Sequence, residues 1–375
     1  MAGLYIHIPF CTKRCLYCDF YSNTDMRYKE DFSRALICEI EQRKDYLVGE
    51  SIDTIYFGGG TPSQLPVETY QHYFEVINGF FDLSSCREIT LEANPDDLTA
   101  AYIHSLRSLP FNRISMGVQS FADDDLLFLN RRHNAVAAID AVRRSQEAGF
   151  TNLSIDLIYG LPNQTLEAWE KNLEVALSLD VPHISAYHLI YEEGTALYRL
   201  WQAGKVNQAD EDLSMDLFLC LISRLKEAGY EHYEISNFAK QGMYAQHNTS
   251  YWNGTNYLGL GPSAHSFNGH SRQWNVSSIH DYIHGMLTNQ PLIEIEHLSK
   301  KMQYDEYIIT RLRTMWGISL AYVETYFGLD YKEHLLRQAQ SALHEGTLMQ
   351  EKDILKLSER GIFISDGLMT DLLSD

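Results

Sequence analysis

The sequence predicts an α/β protein: an open, partial (β/α)6 barrel followed by a smaller, mainly helical C-terminal domain that resembles a winged helix. Short apolar runs rich in β-branched residues recur at intervals of some tens of residues in the first part of the chain, and helical patterns lie between them. This alternation ends after about Asn275. Strands that alternate with helices form a parallel sheet with right-handed crossovers, and six units are too few for a closed eight-fold barrel.

Six runs are predicted to form the strands of this barrel: Leu4–Ile8, Thr54–Phe57, Glu88–Glu92, Arg113–Val118, Leu153–Ile158 and His183–Leu189. The first helix is predicted over Tyr28–Tyr46, where apolar residues recur at helical spacing. Glycine, proline, acidic or amide residues follow each strand. In barrel folds the carboxyl ends of the strands carry the functional site, so these residues are expected around one cavity. Because the same residue types dominate ordinary turns, a purely structural role is the alternative.

The second domain is predicted to span residues 276–375, after a first domain of residues 1–275. Its helical patterns and a hairpin are predicted, before a final short helix, at Tyr304–Thr314, Leu320–Tyr326, Tyr331–His344 and Thr347–Leu357. Winged helices often bind DNA, but this region carries acids at Glu306, Glu324, Glu333, Glu345, Glu351 and Asp353. A lid or docking role is therefore predicted for it.

Composition excludes several classes of function. The net charge of -20 argues against binding to nucleic acid or to an anionic membrane surface, since both require a basic footprint. The sequence contains no apolar run of about eighteen residues, so direct membrane insertion is not expected, and the N-terminus has no signal-peptide pattern. The six cysteines are few for 375 residues, and Cys38, Cys86 and Cys220 have the character of ordinary small apolar residues. These features predict a cytoplasmic protein.

Cys11, Cys15 and Cys18 form a C-x3-C-x2-C run directly after the first strand. Thiolates are the usual ligands of iron–sulfur clusters, and three of them leave the fourth iron of a four-iron cluster open to another ligand. A zinc site, a disulfide and buried thiols are the alternatives. Zinc sites draw close ligand pairs from two places, and no second C-x2-C or H-x3-H follows, so the pattern favours a cluster.

This run has an aromatic residue before its last cysteine and is preceded by YIHIPF, and so resembles the signature of radical S-adenosylmethionine (SAM) proteins. The flanking residues resemble the group that contains oxygen-independent coproporphyrinogen oxidase and the HemW heme chaperones. The resemblance spans nearly the whole chain. It implies a [4Fe-4S] cluster on the three cysteines, with SAM chelating the open iron.

The resemblance also implies the SAM contacts. Glycines after the second strand allow backbone N–H groups to approach a ligand closely, and in the family this GGGTP loop holds the aminoacyl end of SAM. The implied contacts are Tyr5, Gly59, Gly60, Thr61, Glu92, Gln119, Arg131, Asp156 and Ile190. A guanidinium suits the SAM carboxylate, although Arg132 is a rival for Arg131. The alternatives are a tight turn for the glycines, a solvated acid for Glu92, a strand-end cap for Asp156 and an exposed helix charge for Arg131.

The chain departs from the oxidase pattern in two ways that the heme chaperones share. The oxidase has a fourth cysteine where this chain has Phe20, and it has a substantial N-terminal extension, whereas four residues precede Tyr5 here. The H-N-x-x-Y-W motif formed by His247, Asn248, Tyr251 and Trp252 resembles the heme-binding signature of HemW. An imidazole can ligate heme iron while aromatic rings cover the porphyrin. A histidine among aromatic residues is otherwise more often a hydrogen-bonded core residue.

The other histidines carry no motif of their own. His7 is expected to pack under the cysteine loop, and His188, His232 and His265 could line the cavity. The glycine-rich segment 258–266 is predicted to be a loop that closes this cavity, without a chemical role.

The function expected from the resemblance is that of a heme chaperone, which carries heme to a client protein of the respiratory chain. Two alternatives stay open: a coproporphyrinogen oxidase acting by radical decarboxylation, and another radical SAM enzyme such as a methyltransferase or cyclase. The sequence leaves open whether the protein is a homodimer.

Overall fold

The computed structural model describes residues 1–374, and their centre is a twelve-stranded sheet. Six parallel strands lie side by side in chain order, which confirms the predicted partial barrel. They are β1 (Ala2–Ile8), β2 (Ile52–Gly59), β3 (Glu88–Ala93), β4 (Arg113–Gln119), β5 (Asn152–Tyr159) and β6 (His183–His188). Because they are parallel and adjacent, their carboxyl ends and the loops that follow lie along one edge.

Six further strands, which the sequence did not predict, extend this sheet on both sides. Next to β6 lie β8 and β7, both antiparallel. Beyond β1 lie β9, which is parallel to β1, and then three antiparallel strands, β10, β11 and β12. Their bounds are β7 (Tyr230–Glu234), β8 (Asn237–Lys240), β9 (Tyr257–Leu260), β10 (His265–Phe267), β11 (Ser271–Asn275) and β12 (Ile293–His297). Because β12 pairs with β11, the sheet extends through His297, past the predicted domain boundary at Asn275.

Helices between the strands cover the sheet and bury its apolar residues. They are α1 (Lys29–Gln42), α2 (Val67–Phe80), α3 (Ala100–Leu106), α4 (Asp123–Phe128), α5 (Ala135–Glu147), α6 (Leu166–Ser178), α7 (Ala196–Gln202), α8 (Glu211–Glu227), α9 (Gln246–Trp252) and α10 (Ile279–Leu287). In α1 the residues Phe32, Leu36 and Ile40 are buried, as their helical spacing predicts. The N-terminus of α8 is capped by Asp210, whose carboxylate accepts from the Leu213 N–H.

The C-terminal domain has a hydrophobic core of its own, built around Tyr304, Ile308, Leu335 and Leu355. Its helices are α11 (Lys300–Leu312), α12 (Leu320–Tyr322), α13 (Leu329–Gln338), α14 (Gln340–Glu345), α15 (Glu359–Phe363) and α16 (Ser365–Asp371). A small antiparallel sheet completes it, with β13 (Ile318–Ser319), β14 (Leu348–Glu351) and β15 (Ile354–Leu357). The predicted hairpin and mainly helical character are confirmed. The helical pattern predicted over Tyr331–His344 is divided between α13 and α14.

No helix within residues 1–374 is long and apolar enough to cross a membrane.

Candidate functional site

The three cysteines of the C-x3-C-x2-C run lie on one loop between β1 and α1, at the carboxyl edge of the sheet. Cys11 is buried, Cys15 and Cys18 are half-buried, and all three are free thiols. The Cys11 Sγ lies 3.3 Å from Thr61 Oγ1, and the Cys15 Sγ lies 3.3 Å from the Nη1 of Arg131, which donates to it. The loop is therefore held by residues that follow β2 and β4.

Burial disfavours the thiolate form of two of the three cysteines. Burial raises the pKa of Cys11 and raises the pKa of Cys18 to about 11. Within residues 1–374, no three His, Cys, Asp or Glu side chains converge closely enough to hold a single metal ion. A four-iron cluster makes a different demand, because each thiolate binds a separate iron. Thiols spaced around one loop fit that donor set better than they fit a single zinc ion.

The glycines at the end of β2 pack against the end of β1 and the start of the cysteine loop. Gly59 has a φ of +111°, and a Cβ there would lie 2.6 Å from the His7 ring. A Cβ on Gly60 would lie 2.8 Å from the carbonyl oxygen of Phe10. Glycine is therefore required at both positions for the two loops to pack together. This close packing is a structural reason for the glycines, in addition to any contact with a ligand.

Two carboxylates, on β3 and β5, belong to the site. Glu92, at the end of β3, accepts from the Tyr56 hydroxyl at 2.6 Å and from the Gly59 N–H at 3.2 Å. Burial and the nearby charge of Asp156 raise the pKa of Glu92 to about 7. Burial likewise raises the pKa of Asp156, on β5, to about 6, with Arg113 opposing the rise. Two acids in so enclosed a site are poised to meet a cationic ligand.

Arg131 and Arg132 have separate environments. The Arg131 Nη2 donates to Asn94 Oδ1 and to the Gly117 carbonyl, both at 2.5 Å, while its Nη1 reaches Cys15. Its Nε is buried and has no hydrogen-bond partner. Arg132 instead pairs with Asp96 and Asp97, each at 2.8 Å. Arg131 is thus the arginine at the cysteine loop, and Arg132 is occupied elsewhere.

The remaining residues implied as SAM contacts lie along the same edge. Gln119 ends β4 with a φ of +70°, which is uncommon for a residue other than glycine. The Tyr5 hydroxyl forms a hydrogen bond of 3.0 Å with the Nδ1 of His7. Ile190, just after β6, is 62% exposed. Tyr56 and Asn94, which hold Glu92 and Arg131, were not identified from the sequence; the only signal is that Asn94 follows Glu92 by two residues.

A cavity of about 940 Å³ opens from this edge towards the C-terminal domain. Tyr5, His7, Phe20 and Tyr21 form its wall on the side of the first domain, and residues of α11 face them. Its volume is at the upper end of the range for small-molecule sites. Of the histidines expected to line a cavity, His265 does so, whereas His188 bonds to Ser214 and His232 packs on Phe238.

His247 does not face this cavity. Its ring is fully buried; Nδ1 lies 2.7 Å from Thr54 Oγ1, and Nε2 lies 2.8 Å from the Tyr251 hydroxyl. Burial lowers the pKa of His247 to about 3, so the ring is neutral. The expectation that His247 binds heme iron is therefore not supported by this arrangement, because both ring nitrogens are already bonded. Tyr251 and Trp252 of the same motif do line the cavity, while Asn248 is half-buried outside it.

Comparisons with known proteins agree with this architecture. The model of the radical SAM superfamily matches residues 5–176, and that of the HemN C-terminal domain matches residues 298–364. The heme chaperone HemW of Lactococcus lactis is 33% identical, over 99% of this chain and 97% of the relative. HemW of Bacillus subtilis is 34% identical, over 97% and 95% of the two chains. The structure of Escherichia coli coproporphyrinogen III oxidase (HemN) superposes with a TM-score of 0.87 at 23% identity, covering 100% of this chain and 90% of that one.

The parallel six-unit sheet with three cysteines at its carboxyl edge defines a radical SAM protein. The likeness to HemN shows that both domains share its fold. Full-length identity above 30% narrows the class further, and the chain belongs to the HemW family.

Proposed function

We propose that this protein is a heme chaperone, which binds heme, carries a [4Fe-4S] cluster with SAM at its open iron, and transfers the heme to a client protein. The observation that carries the proposal is the similarity, along nearly the entire chain, to relatives named heme chaperone HemW. The cavity of about 940 Å³ beside the cysteine loop supports it, because aromatic rings line that cavity. Aromatic walls suit a large flat macrocycle.

The cluster would be held by Cys11, Cys15 and Cys18. Burial raises the pKa values of Cys11 and Cys18, so cluster binding would release protons from these two thiols. Arg131 already donates to the Cys15 sulfur and would offset part of the thiolate charge. When bound, the reduced cluster and SAM would supply the electron transfer that cleaves the sulfonium, and the residues of this site would orient both groups and exclude water.

SAM would lie along the carboxyl edge of β1 to β6. Glu92 would accept hydrogen bonds from the SAM ammonium or ribose hydroxyls, since its carboxylate already accepts from an O–H and an N–H donor. Arg131 carries the unpaired buried Nε and would meet the carboxylate. The other proposed contacts are Tyr5, Gly59, Gly60, Thr61, Gln119, Asp156 and Ile190.

The H-N-x-x-Y-W motif would contribute Tyr251 and Trp252 to the heme cavity. His247 bonds to the Tyr251 hydroxyl and would fix the orientation of that ring. Asn248 lies on the same helix and has no contact with the cavity. We therefore propose a supporting role for His247 and Asn248.

Phe20 favours the heme-chaperone function over coproporphyrinogen oxidase activity. This residue is 70% exposed and lines the cavity, at the position where the oxidase pattern has its fourth cysteine. We further propose that the protein works in the cytoplasm and that its client belongs to the respiratory chain, as the family resemblance implies.

The test is an anaerobic heme titration of the cluster-loaded protein, with coproporphyrinogen, SAM and a reductant supplied in a parallel turnover assay. We expect saturation near one heme per chain and no decarboxylated porphyrin. Cys15→Ser should lose the iron–sulfur absorption, while Cys86→Ser, whose thiol lies 3.8 Å from the Glu88 carbonyl, should retain it. Steady oxidase turnover or non-saturating heme binding would overturn the proposal.

A further inference from the structure

The cavity between the two domains has one wall formed by a single face of the sheet extension. In the antiparallel pair β10 and β11, His265 lies opposite Trp274, and Phe267 lies opposite Arg272. Directly opposed residues share a face of the sheet, so these four side chains project together. Ser266 and Gln273 project to the other face, where Arg43 donates to both. His265, Phe267 and Arg272 border the cavity.

His265 is the histidine of this cavity whose ring nitrogens are open. Its side chain is exposed and stacks on Trp274, with ring centroids 5.7 Å apart at an interplanar angle of 24°. Within residues 1–374 neither nitrogen of its ring makes a hydrogen bond. The other histidine in the cavity wall is His7, whose Nδ1 and Nε2 are bonded to the Tyr5 hydroxyl and the Tyr21 carbonyl. Partial desolvation by its neighbours, together with the charge of Arg272, lowers the pKa of His265, which favours the neutral imidazole that binds a metal.

The opposite wall is a face of α11 together with exposed aromatic residues. Gln303, Tyr307 and Thr310 recur at helical spacing along it. The Tyr307 ring stacks on Tyr322 at 4.6 Å, and Tyr322 stacks on Tyr326 at 5.3 Å. These parallel rings present flat π-surfaces, which are the surfaces a porphyrin face packs against.

Arg311 provides a positive charge at the cavity. Its Nη1 donates to Asn253 at 2.6 Å and its Nε to the Gly317 carbonyl at 3.1 Å. Among residues 1–374 it has no carboxylate within ion-pair distance, in contrast to Arg272, which is paired with Glu306 at 2.7 Å. An arginine fixed by neutral partners is suited to bind a propionate carboxylate.

We propose that heme binds in this inter-domain cavity, with His265 as the axial ligand of the ferric iron and Arg311 paired with a propionate. A nitrogen lone pair of the neutral imidazole bonds to the iron and displaces a water ligand, with no change of oxidation state. Tyr307, Tyr322, Tyr251 and Trp252 surround the macrocycle. This assignment rests on the proposed heme-chaperone function and names the site at which it is carried out.

The ligand test compares wild type with His265→Ala and with His270→Ala, which removes an exposed histidine from the adjacent turn. We expect His265→Ala to weaken heme binding at least tenfold and to lose the resonance Raman iron–histidine band of the reduced complex. Added imidazole should restore the wild-type absorption spectrum. His270→Ala should behave as wild type. Unchanged affinity and spectrum in His265→Ala, with wild type binding normally, would overturn this assignment.

The propionate test uses Arg311→Gln with heme and with heme dimethyl ester. Arg311→Gln should weaken heme binding but leave the binding of the ester unchanged, because the ester carries no carboxylate. Equal losses for the two ligands would exclude the ion pair. If wild type itself binds no heme at saturation, the proposed function fails; if wild type binds and both variants bind equally well, only this placement fails. Cluster absorption in each variant confirms that the fold is retained.

Discussion

Glu92→Gln should flatten the dependence of stability on pH. The pKa of Glu92 is raised from its usual 4.5 to about 7, with burial as the largest cause. Between these values the folded protein keeps a proton that the unfolded chain has released. Stability therefore falls as pH rises from 4.5 to 7 and stays lower above 7. The glutamine variant has no such titration.

The magnitude follows from the raised pKa. A rise from 4.5 to about 7 corresponds to about 3 kcal/mol, at about 1.36 kcal/mol for each pKa unit. This is an upper limit, because Glu92 is only half-buried and solvent screens its charge. With an unfolding entropy of about 2.1 cal/mol/K per residue over 375 residues, the limit corresponds to a Tm difference of about 4 °C.

The assay is differential scanning calorimetry of the protein without SAM, at intervals from pH 5 to 8. Glu92→Gln should gain in Tm relative to wild type as pH rises. Glu68→Gln, which changes an exposed acid on α2, should follow wild type throughout. The same Glu92 variant should bind SAM at least about tenfold more weakly, since a hydrogen bond to a charged group contributes about 1.5–3 kcal/mol. Parallel Tm profiles would refute the buried titration, and unchanged SAM affinity would exclude the contact.

Three further outcomes are expected. Arg131→Ala should weaken SAM binding, measured by calorimetric titration, whereas Arg132→Ala should leave it unchanged because that guanidinium is paired with acids elsewhere. His247→Gln should lose less stability than wild type as the pH falls from 6.5 to 4, by up to about 3 kcal/mol. The reason is that the folded pKa of about 3 keeps the buried ring neutral in this range, whereas the unfolded chain takes up a proton there. Equal losses in the free energy of unfolding, measured by chemical denaturation, would contradict this. Glu306→Gln should raise the heme dissociation rate up to about fivefold, since it removes a half-exposed ion pair with Arg272 worth at most about 1 kcal/mol; an unchanged rate in stopped-flow transfer to apomyoglobin would argue against opening at this contact.

Local patterns in the sequence predicted the elements whose determinants lie close together in the chain. The strands β1 to β6 appear within two residues of their predicted ends, because buried parallel strands are short apolar runs with turn residues after them. The cysteine loop and the glycines after β2 were identified for the same reason. Their contact through Gly60 and Phe10 explains why the two motifs belong together.

The surroundings of several predicted site residues depend on partners that are distant in the chain. His247 looked like an available ligand, but Thr54, which bonds to its Nδ1, lies 193 residues away in the chain. His265 falls in a glycine-rich segment predicted to be a loop, whereas pairing with Trp274 on β11 makes it part of a strand. The resemblance implied Arg131, with Arg132 as a rival, and the contacts that distinguish the two arginines are made with Asn94 and Asp97, which are distant in the chain.

The two domains are joined by polar contacts at the cavity and by apolar contacts elsewhere, and this bears on how a bound heme could leave. Phe363 packs on Phe218, and Trp316 packs on Tyr233 and Tyr244. Each domain has its own hydrophobic core, whereas the contacts across the cavity include the Arg272–Glu306 ion pair and the hydrogen bond from Arg311 to Asn253. Another link is the Arg313–Glu234 pair, at 2.9 Å. Polar contacts of this kind open at little cost, whereas the apolar contacts hold the two domains together. A heme held between the domains would therefore be released when the polar contacts at the cavity open, without unfolding either domain, as a carrier requires.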